Sequence, residues 1–580
     1  MTRDESSRSG VQHDPSLAPK NRPMLWPHSR STWFFLWLGF SVISLWVQRA
    51  SLQGPFISDD FKDIVNHPFM GGISTRNIAA LLNPWSDAHS FTGNYAPVHQ
   101  LAHMLERLLF GNEMLGYHVV NNLVHALNAT LLVALLRRSS IPPLAAVLGG
   151  AFMLVHPASV EAVAWVSQLK TDSAMAFCLG ALLLQGRRDT LALLCFTLGL
   201  LSKTSAVAAL PAAAAFAFAW GLDWRKGRWI LGWTLAFGIY AITQLDTYAT
   251  VASYTVTAYE DPWVHMRSIL AFWMRYIAMA GAAVGISAFQ EPGPAMSWLD
   301  PWWLGGLAIT LVLATRTLVC LSTRREEAAW WIFAAAGFGP ISQLFPFLYP
   351  MGDRYLYFIL PGLIGGTLLW GRDIRQRFSL ASSDRRRQLL HALTRALVFA
   401  TCGVLAIFAL RSAERAALWT NEQLLVEEGI RNYPKGEAAL FKRACEAGRE
   451  SDVDEAVSLL QAAADRGVNR FNDLPHLACF SSIRDAPSFQ AFIEQQTLKW
   501  LAEADARGVQ MPEILLTKAR AWASLGRGRK ARRAYQEVIA LNERLTATAR
   551  RELDALQETV SRRKQRRRAT QAAPRERSKP

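Results

Sequence analysis

Long apolar runs govern what this chain can fold into. They recur over residues 33–411 as segments of about 17–22 residues, the length a helix needs to cross a bilayer. Candidate spans are 33–49, 118–136, 142–157, 171–186, 189–202, 205–221, 229–247, 267–288, 302–321, 328–347, 355–371 and 393–411. Of the 580 residues 51% are hydrophobic and 19% charged, too few charges for a soluble protein of this length. The expected fold is therefore all-α, with a polytopic membrane helix bundle over 33–411.

The net charge of +16 would suit a nucleic-acid partner. Much of it flanks apolar runs, however, where it sets membrane orientation, and no nucleic-acid partner is expected. Lys20, Arg22 and Arg30 place the N-terminus in the cytoplasm. Residues 1–32 are polar, carry Pro15, Pro19, Pro23 and Pro27, and are expected to be disordered. The first apolar run lacks a small-residue cleavage site and reads as an uncleaved anchor. The basic loop from Arg372 to Arg387 also belongs inside. Twelve spans would put that loop outside, so about eleven are expected, with the C-terminal region on the outer face. Asp59-Asp60, His156 and Lys203 then share that face.

After residue 412 the pattern becomes soluble and helical. Leu515, Ala519, Trp522, Leu525-Gly526, Ala531, Tyr535 and Ile539 fit one helix–turn–helix of the tetratricopeptide type. A weaker unit runs from Glu437 to about Gly467. Residues 412–560 are read as a tetratricopeptide-like α-solenoid, the alternative being two unrelated helical hairpins. Residues 561–580 form a basic tail, expected to be disordered and to touch anionic lipid or polymer. Cys445 and Cys479 fall in the repeat region and could pair on an oxidising face.

The outer loop 50–117 carries the most telling residues. Asp59-Asp60 stands just past the first apolar run, either as a solvated loop start with a helix N-cap or as a site for chemistry at the membrane boundary. His118, Asn121, Asn122, His125 and Asn128 share one predicted helix, as hydrogen-bond glue between helices or as part of a site. His156-Pro157 ends a span. The segment from Ser159 to Leu169 then reads as amphipathic and lying along the outer surface, with Glu161, Lys170 and Asp172 nearby. Lys203 and Asp353-Arg354-Tyr355-Leu356-Tyr357 belong to the same layer. Such an inventory suits group transfer from a phosphate-bearing lipid. A carboxylate base takes the proton of an acceptor hydroxyl, and fixed cations receive the departing phosphate. His156, Lys170, Lys203 and Arg354 would supply that charge. The Asp59-Asp60 pair would alternatively hold a divalent cation such as Mg or Mn. No Walker loop or Gly-rich nucleotide fingerprint is present, so a membrane-embedded donor fits better than a nucleotide sugar.

The order Ser58-Asp59-Asp60, Asn94-Tyr95-Ala96-Pro97, Gly116-Tyr117-His118-Val119-Val120-Asn121, His156-Pro157-Ala158-Ser159-Val160-Glu161-Ala162-Val163 and Asp353-Arg354-Tyr355-Leu356-Tyr357 resembles the transmembrane-and-tetratricopeptide-repeat O-mannosyltransferases and their bacterial relatives. These belong to the GT-C superfamily of polyprenyl-phosphate-dependent glycosyltransferases. The resemblance implies Asp59 or Asp60 as catalytic base, and Asn94, Tyr95, His118, Asn121, Glu161 and Asp353 as further site candidates. The family's Lys-Glu is here Lys203-Thr204, its Asn-Tyr-Arg-Pro is Asn94-Tyr95-Ala96-Pro97, its Arg-Asp is Lys170-Thr171-Asp172, and its Glu-Arg is Asp353-Arg354.

The expected activity is inverting transfer of one mannose-like hexose from a polyprenyl-phosphate donor to a protein or other envelope acceptor, in a bacterial inner membrane with the repeats on the periplasmic side. Two rivals remain: oligosaccharide transfer or glycan ligation from a polyprenyl-pyrophosphate donor, and a non-enzymatic scaffold or transporter that gathers partners on its repeats. Membrane lipids are partners in every case.

Overall fold

The computed structural model describes residues 29–558, apart from 87, 93, 223–227, 253–260, 345–348, 381–383, 467–470, 507–511 and 542–544. Residues 1–28 and the basic tail 561–580 lie outside the described residues. All described secondary structure is helical. Each of the twelve apolar runs becomes a helix: Arg30–Val47, Met114–Arg138, Pro143–Val155, Leu169–Leu184, Asp189–Leu200, Ala209–Ala219, Trp229–Ala252, Pro262–Ala282, Pro301–Ser322, Glu327–Phe338, Leu356–Leu380 and Asp384–Ala416. Among the described residues, four stretches are long and apolar enough to cross a membrane: Arg30–Val47, Met114–Arg138, Pro301–Ser322 and Ala392–Thr420.

Several predicted boundaries shift. Leu356–Leu380 and Asp384–Ala416 run well past the apolar runs 355–371 and 393–411, so most of the basic stretch 372–387 expected as a loop is helical, and the run 205–221 opens with a 3₁₀ turn, Thr204–Ala208. Two further runs are cut short. The run 267–288 stops being helical at Ala282, where Ala283 takes a left-handed conformation. Gly285 follows at φ +72°, and Pro292 and Pro294 continue the break, so 283–300 forms an extended arm. The run 328–347 ends its α-helix at Phe338 and passes into a 3₁₀ turn, Gly339–Ile341.

The bundle buries polar groups and exposes apolar ones, the reverse of a soluble protein. Phe34, Phe35, Val42, Leu311, Leu318, Leu397 and Phe399 face outward, whereas His118, Asn121, Asn122, His125 and Asn128 are buried. That outward face fits lipid, where every inward polar group needs a protein partner. The helix Met114–Arg138 sits at the centre. Ser44 Oγ donates to Asn122 Oδ1 (2.6 Å). His125 accepts from the Tyr357 hydroxyl at Nδ1 (2.7 Å) and donates to the Leu154 carbonyl from Nε2 (3.0 Å). Asn128 donates to the Asp172 carbonyl (2.9 Å). These side chains bind helix to helix.

Glycines bring two of the helices together. A Cβ at Gly362 would collide with the backbone of Trp330 and Ala334, and at Gly365 and Gly366 with the rings of Trp330 and Trp331. Leu356–Leu380 and Glu327–Phe338 therefore meet at backbone contact.

The C-terminal region begins with Glu422–Asn432. The helix pair Glu437–Arg449 and Val453–Ala464 follows, then Pro487–Ala506, the pair Pro512–Ser524 and Gly528–Leu541, and a last helix over 545–558. In the first pair Asp452 accepts from the Glu455 N–H (3.0 Å), one half of a capping box. In the second, Gly526 turns the chain at φ +68°, a conformation only glycine adopts without cost. Leu515, Ala519, Ala531 and Tyr535 share its core, with Trp522 and Ile539 packed against them. Cys445 and Cys479 form a disulfide with their Cα atoms 5.1 Å apart.

Candidate active site

The segment after His156 forms the floor of the site. Proline at 157 stops the preceding helix. A short helix Ser159–Ala164, an extended Trp165 and a 3₁₀ turn Val166–Gln168 lead into Leu169–Leu184. The sequence predicted a surface-lying segment, but residues 156–169 are all buried. The loop 50–117 covers them from one side, and Trp419 stacks on Trp165 at 5.9 Å. Asn121 holds the segment from below, its amide donating to the Val163 and Trp165 carbonyls (both 3.2 Å).

The carboxylate pair divides its labour. Asp60 is fully buried. Its Oδ2 accepts from the Ile57 N–H (3.0 Å), and its Oδ1 from the Ser167 N–H (2.8 Å) and the Ser167 hydroxyl. Asp60 thus clasps the outer loop to the floor. Burial pushes its pKa up to about 6, against the opposing effect of those hydrogen bonds. Asp59 is the reachable one. Its side chain is 32% exposed and pairs with Lys62 at 3.0 Å. The preceding Ser58 sits at φ +50°, a strained conformation of the kind that clusters at functional sites. The Asp60 carboxylate accepts three protein hydrogen bonds, one at Oδ2 and two at Oδ1, and Asp59 turns to Lys62. Among the described residues no three His, Cys, Asp or Glu side chains gather as metal ligands.

The structure adds His99, His103 and Glu106, which the sequence did not mark, to Asp63 and Lys170. Asp63 meets Lys170 (3.5 Å) and His99 (3.8 Å), and His103 donates to Glu106 (2.5 Å). Burial works against the Asp63 carboxylate, but Lys170 and His99 outweigh it and hold its pKa below the usual range. His99, His103 and Glu106 lie on the inward face of the helix Pro97–Phe110, while Leu105, Leu108 and Leu109 are exposed. That reversed amphipathicity was the available signal.

Arg354 lies at the far wall. The Arg354 N–H donates to Glu161 Oε2 (2.8 Å) and its guanidinium pairs with Glu161 Oε1. Its Nη2 donates to the Tyr355 hydroxyl (2.9 Å). The Tyr355, Trp165 and Tyr349 rings lie 4.6, 5.3 and 5.5 Å from the guanidinium carbon. Lys203 approaches the same Tyr355 ring at 5.7 Å. Its ammonium donates to the Thr171 hydroxyl (2.7 Å). Among the described residues no carboxylate pairs with it. Burial depresses the Lys203 pKa well below normal, and the neighbouring Lys170 and Arg354 charges add to that, against the opposing pull of Glu161 and Asp172. Asp353 accepts from Gln290 (2.7 Å) and pairs with Arg415 (3.0 Å).

The remaining sequence candidates stand apart from this layer's charges. His156 accepts from the Ala158 N–H at Nδ1 (3.1 Å) and donates to the Ala280 carbonyl from Nε2 (3.3 Å), which leaves neither nitrogen for a ligand. His118 donates to the Gly54 carbonyl (3.1 Å). Asn94 donates to the Thr92 carbonyl (3.3 Å) and the Tyr95 hydroxyl to the Leu82 carbonyl (2.8 Å), both shaping the outer loop.

What this arrangement can do chemically is hold an anion against a cluster of cations, beside an accessible carboxylate. A comparison with known proteins agrees in part. Over 160 residues, 26% of this chain, it is 34% identical to the Protein O-mannosyl-transferase Tmtc1 of Drosophila melanogaster. The match covers only 18% of that protein's length. No protein-family model matches the chain. The partial likeness points to a glycosyltransferase, and the apolar helices to a membrane protein.

Proposed function

We propose that the chain is a GT-C-type glycosyltransferase of about eleven spans that moves a mannose-like hexose from a polyprenyl phosphate to a protein or other envelope acceptor on the outer face. The observation that carries this reading is Lys203, a buried ammonium with no carboxylate at ion-pair distance among the described residues, near enough to the paired cations Lys170 and Arg354 for their charges to act on it. A buried cation without an ion-pair partner, near two others, favours an anion beside it, and a polyprenyl phosphate supplies one. In the transfer, the acceptor oxygen bonds to the sugar's anomeric carbon as the bond from that carbon to the phosphate oxygen breaks. The acceptor proton passes to Asp59, and the phosphate leaves with the electron pair, toward Lys203. Asp60 holds the loop in place. The Cys445–Cys479 bridge supports a helical domain in an oxidising compartment, such as the periplasmic side of a bacterial inner membrane. The helix pairs support a tetratricopeptide-like solenoid that holds the acceptor.

The test is transfer from synthetic mannosyl-phosphoryl-undecaprenol to envelope acceptors by the purified full-length protein. Asp59→Asn should lower the rate by about 10²–10⁴-fold, the usual share of a general base, with folding intact. Wild-type rates from Asp59→Asn, or no transfer by the wild type, would reject the assignment.

A further inference from the structure

Asp353 and Glu428 lie 75 residues apart in sequence, and one guanidinium bridges them. Arg415 Nη2 donates to Asp353 Oδ2 (3.0 Å) and Arg415 Nη1 to Glu428 Oε1 (2.8 Å). Arg415 lies at the end of the helix Asp384–Ala416, and Glu428 belongs to the first helix of the C-terminal region, Glu422–Asn432. Both carboxylates also reach back to the extended arm 283–300. Asp353 Oδ1 accepts from the Gln290 amide (2.7 Å) and the Ser287 N–H (3.2 Å). Glu428 Oε2 accepts from the Ser287 hydroxyl (3.0 Å) and the Ala288 N–H (2.9 Å). Tyr433 closes the ring by donating to Gln290 Oε1 (2.6 Å). Asp353 is fully buried, and the Arg415 and Glu428 side chains are 13% and 10% exposed.

We propose that Arg415 and Glu428 are positioning residues, through which the C-terminal helical domain sets the donor-phosphate cation Arg354. The proposal rests on the reading of Arg354 given above. Asp353 and Arg354 are consecutive in one 3₁₀ turn, Asp353–Tyr355. That turn is held from one side by Glu161 and from the other by Arg415. Loss of the Arg415 charge leaves two buried carboxylates facing each other without a cation, an arrangement that either moves or takes up a proton. Movement there displaces Arg354, and a displacement near 1 Å at a site of this kind costs on the order of a hundredfold. Simple tethering of one domain to another would not need a side chain adjacent in sequence to the phosphate cation. A surface pair would serve that purpose at less desolvation cost.

The experiment compares full-length wild type, Arg415→Gln, Arg415→Lys and Glu428→Gln by hydrogen exchange of the peptide spanning 350–358 and by binding of undecaprenyl phosphate. Arg415→Gln is expected to speed exchange of that peptide and to weaken undecaprenyl phosphate binding roughly tenfold or more. The Glu437–Ala464 pair should stay protected, and Arg415→Lys should recover part of both effects. If Arg415→Gln does not fold, Glu428→Gln carries the same expectation. Faster exchange confined to 422–449, with unchanged exchange at 350–358 and unchanged binding, would overturn the proposal. Faster exchange at 350–358 in a protein whose wild type binds no undecaprenyl phosphate would keep the positioning role and reject the donor reading instead.

Discussion

Removing the guanidinium of Arg354 tests whether the cation is built into the site or merely rests at an interface. The Arg354 side chain is 12% exposed and that of Glu161 is 1% exposed. Arg354→Ala strips Glu161 of its ion pair and leaves it only the Arg354 N–H at 2.8 Å. It also removes the bond to the Tyr355 hydroxyl and the ring contact at 4.6 Å. Breaking one side of a buried pair costs about 3–5 kcal/mol, and the ring contact adds roughly 0.5–2 kcal/mol. Arg354→Lys keeps charge but loses the fork, at a cost of about 1.5–3 kcal/mol for the charged bond it cannot replace. Glu161→Gln paired with Arg354→Met removes both charges and should recover much of the loss, with a coupling energy of about 2 kcal/mol or more. Equilibrium unfolding in mixed micelles, followed by tryptophan fluorescence, measures all of these. Trp165, 5.3 Å from the guanidinium, reports locally. A cost under about 1 kcal/mol for Arg354→Ala, with coupling near zero, is what an interfacial anchor would give, and it would refute the buried-pair account.

Lys203→Met should hold or raise thermal stability while donor binding falls, because burial of the ammonium is its largest cost. Lower stability with binding intact would contradict that. The Asp60 pKa of about 6 lies above its ordinary 3.8, so folding takes up a proton between those values. Its contribution should be greatest below pH 4 and be lost as pH rises through 6, a change of about 3 kcal/mol. Asp60→Asn should remove that slope from unfolding curves measured across pH 4–6. Reduction of Cys445–Cys479, which spans a sequence separation of 34, should lower the stability of the helical domain by about 3–4 kcal/mol. Proteolysis of residues 437–506 with and without reductant would show it.

The helices were legible because apolar runs carry their own length and their own stop signals. Each predicted run became a helix. The two runs cut short ended near Gly285 and Gly339, and the helices Leu356–Leu380 and Asp384–Ala416 outran their apolar runs because a helix can continue through charged residues that carry no apolar signal. The helix-bound polar set was legible as hydrogen-bond glue, since Asn121 and His125 lie at helical spacing and both bind backbone carbonyls. The pairing inside the outer layer was not legible. Asp60 meets Ser167 across 107 positions, and Arg415 meets Asp353 across 62. No local period links such residues, and only packing selects them. His156 misled for a related reason. Its charged neighbours in sequence point elsewhere in space, while Ala158 and Ala280 take its nitrogens.

The glycine contact beneath Arg354 decides which parts of the site can travel. Leu356–Leu380 cannot slide or rotate against Glu327–Phe338 without driving backbone into backbone at Gly362 and indole into backbone at Gly365 and Gly366. The helix that follows Arg354 is therefore a fixed bed, locked in register by surfaces that have no side chain to yield. Asp59 rides instead on a loop held by a few polar bonds from Asp60 to Ser167 and from Asp63 to Lys170, at the floor of the site rather than in that bed. Under the proposed function, any adjustment to a bulky lipid-linked donor would therefore fall on the acid's half of the site, with the cation's half standing still.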